Sequence, residues 1–397
     1  MFSHVLEAPS DPILGLLEAY RADENPEKID LTAGIYQDDT GKTPILTTVK
    51  KAEAIMLEKE VSKQYLGIAG DVGFGRLVQQ LTLGEDHPLL NDGCVQTIQT
   101  PGGTGALRMA AELIKTILPN AIVWLTSPTW NNHPHIFGSV NLALAHLPYY
   151  DKNTQGLAFD ALLDALQKVP AGDVVLLHAC CHNPCGVDPT PMQWQQIADV
   201  AKARGFLTLF DFAYQGFGRG LAEDAYAIRL FLEKGITELL ITSSFSKNFS
   251  LYNERVGALT MIASTKQQAV HVASQAKSRV RSNYSNPPAH GASIVNTILT
   301  TPDLKTFWLQ ELDEMRERIA KVRVQFVQGL AAQGASRSFE FINHQYGMFS
   351  YSGLTAEQVR MLRERYSIYM LESGRMSLCG INSRNIGKLC EAVVNVL

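Results

Sequence analysis

The sequence predicts an α/β fold: a large domain with a mostly parallel sheet between helices, plus a smaller α+β domain. Three observations lead there. From about residue 100 to 264, short apolar runs alternate with segments of helical period, the pattern of strands joined by crossover helices. The chain has 397 residues, more than one small core organises, which favours two domains. Near 311–330 one long amphipathic helix precedes a stretch of mixed strand and helix signals.

Strands are expected at 121–127, 174–180, 207–212, 239–244 and 257–262, each a short apolar run closed by polar or turn residues. A helix is expected at 104–118, just after a Gly pair, and another at 192–204 after a Pro-Thr-Pro start. In 311–330, Met315, Ile319, Val322, Phe326 and Leu330 recur every three or four positions and form one stripe leading toward the C-terminal domain. There the segment FEFINHQYGMFSYSG reads as a hairpin, followed by a helix at 355–366.

Composition narrows the chemistry. Apolar residues at 46% and charged residues at 19% describe an ordinary globular chain. A net charge of -4, with scattered basic residues, provides no footprint for nucleic acid or an anionic membrane, so small-molecule work is the expectation. The start MFSHVLEAPSDP lacks the marks of a secretory signal and no apolar run spans a bilayer, so a cytoplasmic location is expected. Six cysteines are expected as reduced thiols.

Four segments carry polar groups where strands end, the ligand face of an open α/β sheet. In ITSSFSKNFSLYNERVG, Lys247 follows an apolar run among serines and precedes Arg255 by eight residues. A dry lysine beside another cation becomes a nucleophilic amine at neutral pH; the plain alternative is a surface lysine after a strand. In TLFDFAYQGFGRG, Asp211 ends an apolar strand with Tyr214 three residues on. Burying that carboxylate requires a partner, either a protonated ring nitrogen or the amides of a helix start. PGGTGALRMAAELI resembles a turn opening a helix, where free amides favour a phosphate, but it fits neither the dinucleotide nor the P-loop pattern. VVLLHACCHNPCGVDP sets Asn183 before Pro184, where a cis bond stays open. Cys180, Cys181, His182 and Cys185 match no usual zinc spacing, and strand alternation would part the adjacent thiols, so they read as small buried packing groups and no metal is expected.

Taken together, DPILGL, QTPGGTGALR, SPTWNNH, CCHNPCG, DFAYQGF, SSFSKNFSLYNERVGA, RSNYSNPPAHGA, YGMFSYSGL and SGRMSLCG run from one end of the chain to the other. In that order and spacing the chain resembles the class I aminotransferases of fold type I, which depend on pyridoxal 5′-phosphate, and within them the bacterial aspartate/aromatic subgroup. The resemblance implies a large cofactor-binding domain at 45–314, a small domain at 315–397, and an N-terminal arm with part of the small domain at 1–44.

It also implies roles. Lys247 is the Schiff-base lysine and proton shuttle. Asp211 pairs with the cofactor's ring nitrogen, with His133 behind it, and Tyr214 and Asn183 bond its phenolic oxygen. Trp130 stacks on the ring, and Gly103, Thr104, Ser244, Ser246 and Arg255 hold the phosphate. Arg375 clamps the substrate α-carboxylate and Arg281 the distal one. Tyr65, Arg281 and Asn286 reach the neighbouring subunit's site in a homodimer, and Gly34 lies in a segment that closes over substrate.

The implied reaction exchanges the amino groups of L-aspartate and 2-oxoglutarate by ping-pong half-reactions, with aromatic amino acids as side substrates. Cys185 stands where the family commonly has Thr. Ile35, Gln37 and Gln64 depart from a strict aspartate enzyme, whereas Thr43, Thr104 and Asn286 agree with one. An aromatic aminotransferase remains the alternative. A lyase or decarboxylase on this fold needs no second carboxylate clamp, which Arg281 speaks against. A ligand-sensing domain of a transcription regulator needs a DNA-binding unit, for which no room is expected before DPILGL.

Overall fold

The structure, a computed structural model, describes residue 2, residues 4–7 and residues 12–397, the side chains of residues 12–14 excepted. The DPILGL segment therefore begins outside the described residues, at Asp11. Its centre is a seven-stranded sheet formed by β1 (Val95–Pro101), β2 (Ile122–Ser127), β3 (Ala143–Pro148), β4 (Val174–His178), β5 (Leu207–Phe212), β6 (Leu239–Ser244) and β7 (Val256–Ile262). Their spatial order is β1-β7-β6-β5-β4-β2-β3. Only β7 runs antiparallel to its neighbours β1 and β6; the others pair in parallel.

All five expected strands are present within two residues of their expected bounds. The two outer strands, β1 and β3, were not expected. Their mixed sequences, VQTIQTP and ALAHLP, reflect edge positions where burial is incomplete, with four of seven and one of six residues buried respectively. The inner strands β4, β6 and β7 are buried at every residue. Helices cover both faces, giving one core cluster around Phe210 and Phe231 and a second around Leu113 and Val123.

Local chemistry sets the helix ends. The helix Pro191–Arg204 starts on a capping box, with Thr190 and Gln193 each bonding the other's backbone amide, and stops at Gly205 in the left-handed region. Thr355 and Gln358 form the same box at Ala356–Tyr366. The long helix begins earlier than its stripe suggested, spans Pro302–Ala332 and crosses the expected 314/315 boundary without a break. Met315, Ile319, Val322, Phe326 and Leu330 are all buried along it.

The C-terminal lobe departs from expectation in one place. FEFINHQYGMFSYSG does not fold back on itself: Glu340–His344 is a 3-10 turn, and Phe349–Tyr351 pairs antiparallel with Arg375–Ser377. The partner is distant in sequence, so local alternation mimicked a hairpin that long-range pairing replaces. Ile29–Asp30 pairs in parallel with Ile368–Tyr369, which ties the N-terminal segment to this lobe. Among the described residues, no helix is long and apolar enough to cross a membrane.

Candidate active site

The C-terminal ends of the inner strands open on a cavity of about 250 Å³ between the sheet and the C-terminal lobe. It gathers twelve of the fourteen expected site residues: Gly34, Gly103, Thr104, Trp130, Asn183, Asp211, Tyr214, Ser244, Ser246, Lys247, Arg255 and Arg375.

One wall is an anion cradle. The helix Gly102–Ile117 points its N-terminal amides at the cavity, flanked by Ser244, Ser246 and Arg255. Gly102 is left-handed at φ 72°, and a Cβ there would lie 2.5 Å from the Arg255 guanidinium. At Gly103 a Cβ would meet Ser244 at 2.8 Å, so only glycine lets the helix start approach the strand this closely. Arg255 Nη1 donates to Ser246 Oγ at 3.2 Å and to the Tyr252 carbonyl at 3.1 Å.

At the centre, Lys247 lies just past β6 with its Nζ 4.6 Å from the centre of the Tyr214 ring. Burial pushes its pKa down to about 8, reinforced by Arg255 and opposed by the Asp211 carboxylate. An amine with that pKa is partly unprotonated near neutrality, as a nucleophile and proton carrier must be.

Asp211 is the penultimate residue of β5 and is buried. Burial alone would raise its pKa, but the hydrogen bond and charge of His133, with His178 and Lys247 beyond, lower it overall. His133 Nε2 and Asp211 Oδ2 are 2.9 Å apart, and Thr129 Oγ1 sits 2.7 Å from His133 Nδ1. A carboxylate can only accept, so Nε2 carries a proton, and the Thr129 hydroxyl is the hydrogen-bond partner of Nδ1.

Asn183 donates from Nδ2 to the Tyr214 hydroxyl at 3.4 Å, while its buried Oδ1 has no partner among the described residues. Burial first, and the Asp211 charge second, push the Tyr214 pKa up, keeping its hydroxyl a donor. The peptide bond before Pro184 is cis. The loop is held by Asp188, whose two oxygens accept from the amides of Cys181 and His182 at 2.7 and 2.8 Å. Burial pushes that carboxyl's pKa up to about 6.

Across the cavity, Arg375 is 3% exposed. One Nη donates to the Thr32 carbonyl at 2.5 Å, its guanidinium packs 4.3 Å from the Phe349 ring centre, and its buried Nε is unpartnered. Among the described residues no carboxylate pairs with it. Gly34 faces the same space, where a Cβ would lie 3.1 Å from Phe349.

Sequence reasoning missed Tyr252, Phe349, Ala213, Leu107 and Asp188. Tyr252, Ala213 and Phe349 lie inside quoted motifs, and Tyr252 accepts the Tyr36 amide at 2.7 Å, tying the N-terminal segment to the cavity wall. Nothing in its own sequence marks Asp188 as the loop's anchor.

The family model described as aminotransferase class I and II matches residues 26–393. The chain belongs to this aminotransferase family. This aminotransferase is 52% identical to the aspartate aminotransferase of Escherichia coli (strain K12), over 100% of both chains. It is also 45% identical to an aromatic-amino-acid aminotransferase of Pseudomonas aeruginosa, covering 100% of this chain and 98% of the relative. Among solved structures, the aromatic-amino-acid aminotransferase of Burkholderia pseudomallei, covalently bound to pyridoxal phosphate, matches with TM-score 0.97 and 46% identity, covering 100% and 99% of the two chains.

Two expected residues lie outside this aminotransferase's cavity. Tyr65 is 91% exposed, and Arg281 is exposed and donates to the Ser285 hydroxyl. Asn286 donates to the Leu66 carbonyl at 3.0 Å, which links the segments that carry them.

Proposed function

We propose that this aminotransferase holds pyridoxal 5′-phosphate on Lys247 and exchanges the amino groups of L-aspartate and 2-oxoglutarate, with aromatic amino acids as side substrates. The observation that carries the reading is Arg375, a buried guanidinium without a carboxylate partner, facing the amine of Lys247 across one cavity. A buried cation in that state calls for an anionic ligand, and an α-carboxylate matches its fork.

The residues present fit the cofactor. The helix start, two serines and Arg255 suit a phosphate dianion. The Asp211 carboxylate, held ionised, suits a protonated ring nitrogen, and Asn183 and Tyr214 suit an ionised phenolic oxygen. When bound, the cofactor supplies an electron sink for the bonds at the substrate Cα. The protein does the rest. Lys247 carries the cofactor and moves the Cα proton, Arg375 orients the substrate, Trp130 covers the ring, and Gly34 lets the segment before Tyr36 approach.

The reading includes a homodimer with shared sites, to which Tyr65 and Arg281 contribute across the interface. Its support is a run of exposed apolar side chains near them, Leu57, Val61, Tyr65 and Val72, each more than four-fifths exposed. The second reading, aromatic turnover as the main activity, rests on the aromatic relatives and on Arg281 being exposed. The deciding experiment titrates the purified holoenzyme's visible absorbance with aspartate and separately with phenylalanine, in the native chain and in Arg281→Leu. Aspartate conversion should fall far more than phenylalanine conversion in the variant. Equal losses would mean that Arg281 is structural, and native conversion by phenylalanine alone would reverse the substrate assignment.

A further inference from the structure

Behind the loop that carries Asn183, the chain brings two adjacent cysteines together. Neighbouring side chains of a strand point to opposite faces, so Cys180 and Cys181 should diverge. Cys181 instead has φ 51°, a region that few residues other than glycine adopt. That turn sets Cys180 Sγ, Cys181 Sγ and an Asp224 carboxylate oxygen all within 4.8 Å of one another. Gly347 makes room, since a Cβ there would lie 2.5 Å from the Cys181 Cβ. The separation argued from strand alternation therefore does not hold.

Cys180 faces a second cavity, of about 220 Å³, which Trp194, Arg219, Asp224 and Tyr346 also line. This cavity shares no lining residue with the one around Lys247. Its carboxylate is already engaged: Asp224 accepts from the amides of Gly216, Gly218 and Arg219 at 2.8, 2.9 and 2.8 Å. Burial pushes the pKa of Cys181 up to about 12 and that of Cys180 well above the ordinary thiol value.

Those facts select among thiophilic ligands. A divalent metal ion requires ionised thiolates, which burial opposes here. A trivalent arsenical does not. An organoarsonous acid, R–As(OH)2, condenses with two thiols: two As–S bonds form, two As–O bonds break, and each thiol proton leaves with a hydroxyl as water. Arsenic stays trivalent, and the product is neutral, so it places no new charge beside the buried Asp224 carboxylate. We propose that Cys180 and Cys181 form a vicinal dithiol site for trivalent arsenicals, opening on the cavity beside Trp194. The Cys181 amide is one of the two that Asp188 holds, and Asn183 follows two residues later, so the adduct forms at the base of the loop that carries Asn183.

The test treats the folded holoenzyme with phenylarsine oxide, then denatures it, alkylates the remaining thiols and locates the protected cysteines by mass spectrometry. A single arsenical should be bound, with Cys180 and Cys181 protected together and Cys94, Cys185, Cys379 and Cys390 alkylated. Ethanedithiol should release it, and excess monothiol should not. Cys180→Ser and Cys181→Ser should each lose the adduct, and Cys94→Ser should keep it. No adduct on the native enzyme, or protection of a pair that includes Cys185, overturns the assignment. Should a serine variant fail to fold, the protection map of the native chain decides alone. Because the readout is a covalent mass, it stands whether or not the aspartate reading does.

Discussion

Asp211 and Arg375 face one cavity from opposite sides, both buried, and they differ in what balances their charge. Asp211 accepts a hydrogen bond from His133 Nε2 at 2.9 Å, and His133 is fixed in turn by Thr129, so the carboxylate stays ionised with its partner built in. Arg375 has a backbone carbonyl, an aromatic face and an unpartnered Nε. Burial pulls its pKa down with no neighbouring carboxylate bonded to it. The fold therefore completes one charge and leaves the other for a ligand. In energetic terms, the first is a permanent part of the chemistry, and the second is where binding energy is released.

Removing the group between the two charges should do the most damage. Lys247→Ala should lose the visible absorbance of the lysine-bound cofactor and, from proton transfer alone, roughly 10²–10⁴-fold in turnover. An unchanged visible spectrum would mean that another residue carries the cofactor. Next, Arg375→Lys keeps a charge but loses the fork. Breaking a buried, ligand-completed pair costs about 3–5 kcal/mol, or roughly 10²–10⁴-fold in kcat/KM for every amino acid donor. A loss confined to dicarboxylates would show that Arg375 binds the distal group, and the contrast with Asp211 would need a different ligand.

Lys247 itself is a third case, a cation only partly balanced. Its folded pKa of about 8 lies below the unfolded value of about 10.4, so between those values the unfolded chain binds more protons. The stability of the cofactor-free chain should therefore rise as pH increases from about 8 to about 10. Below pH 8 a penalty of about 3 kcal/mol is fully present. Urea unfolding at pH 7 and pH 9.5 measures it, and Lys247→Met should flatten the difference. A native chain with no such slope would show that Asp211 already balances the amine.

How much of this the sequence discloses depends on the range of the forces involved. Inner strands such as Leu239–Ser244 are buried on both faces and open on an apolar run that declares them, whereas the edges Val95–Pro101 and Ala143–Pro148 mix polar with apolar residues. Lys247, Asp211 and Arg375 were legible because motifs mark them. Asp188 was not, since its role arises from two amides six and seven residues upstream. The pairing of Phe349–Tyr351 with Arg375–Ser377, and the left-handed turn at Cys181, are set by distant packing that local patterns do not encode.

The smallest effect tests the contrast most directly, because it needs no ligand or cofactor. Asp211→Ala removes the acceptor of a buried imidazole N–H, and an unsatisfied buried donor costs about 1–3 kcal/mol. Arg375→Met removes a buried charge that has no carboxylate to lose. Against that gain stand the Thr32 carbonyl, deprived of one donor, the lost contact of the cation with the Phe349 ring and the lost attraction of Asp30. In the cofactor-free chain, Asp211→Ala should lower Tm, while Arg375→Met should leave it unchanged or raise it. If Arg375→Met lowers Tm as much as Asp211→Ala, the guanidinium is structural and its charge is balanced by the fold after all. Repeating the scan with succinate, a dicarboxylate without an amino group, separates the outcomes further. A ligand that completes Arg375 should raise the Tm of the native chain and leave that of Arg375→Met where it was.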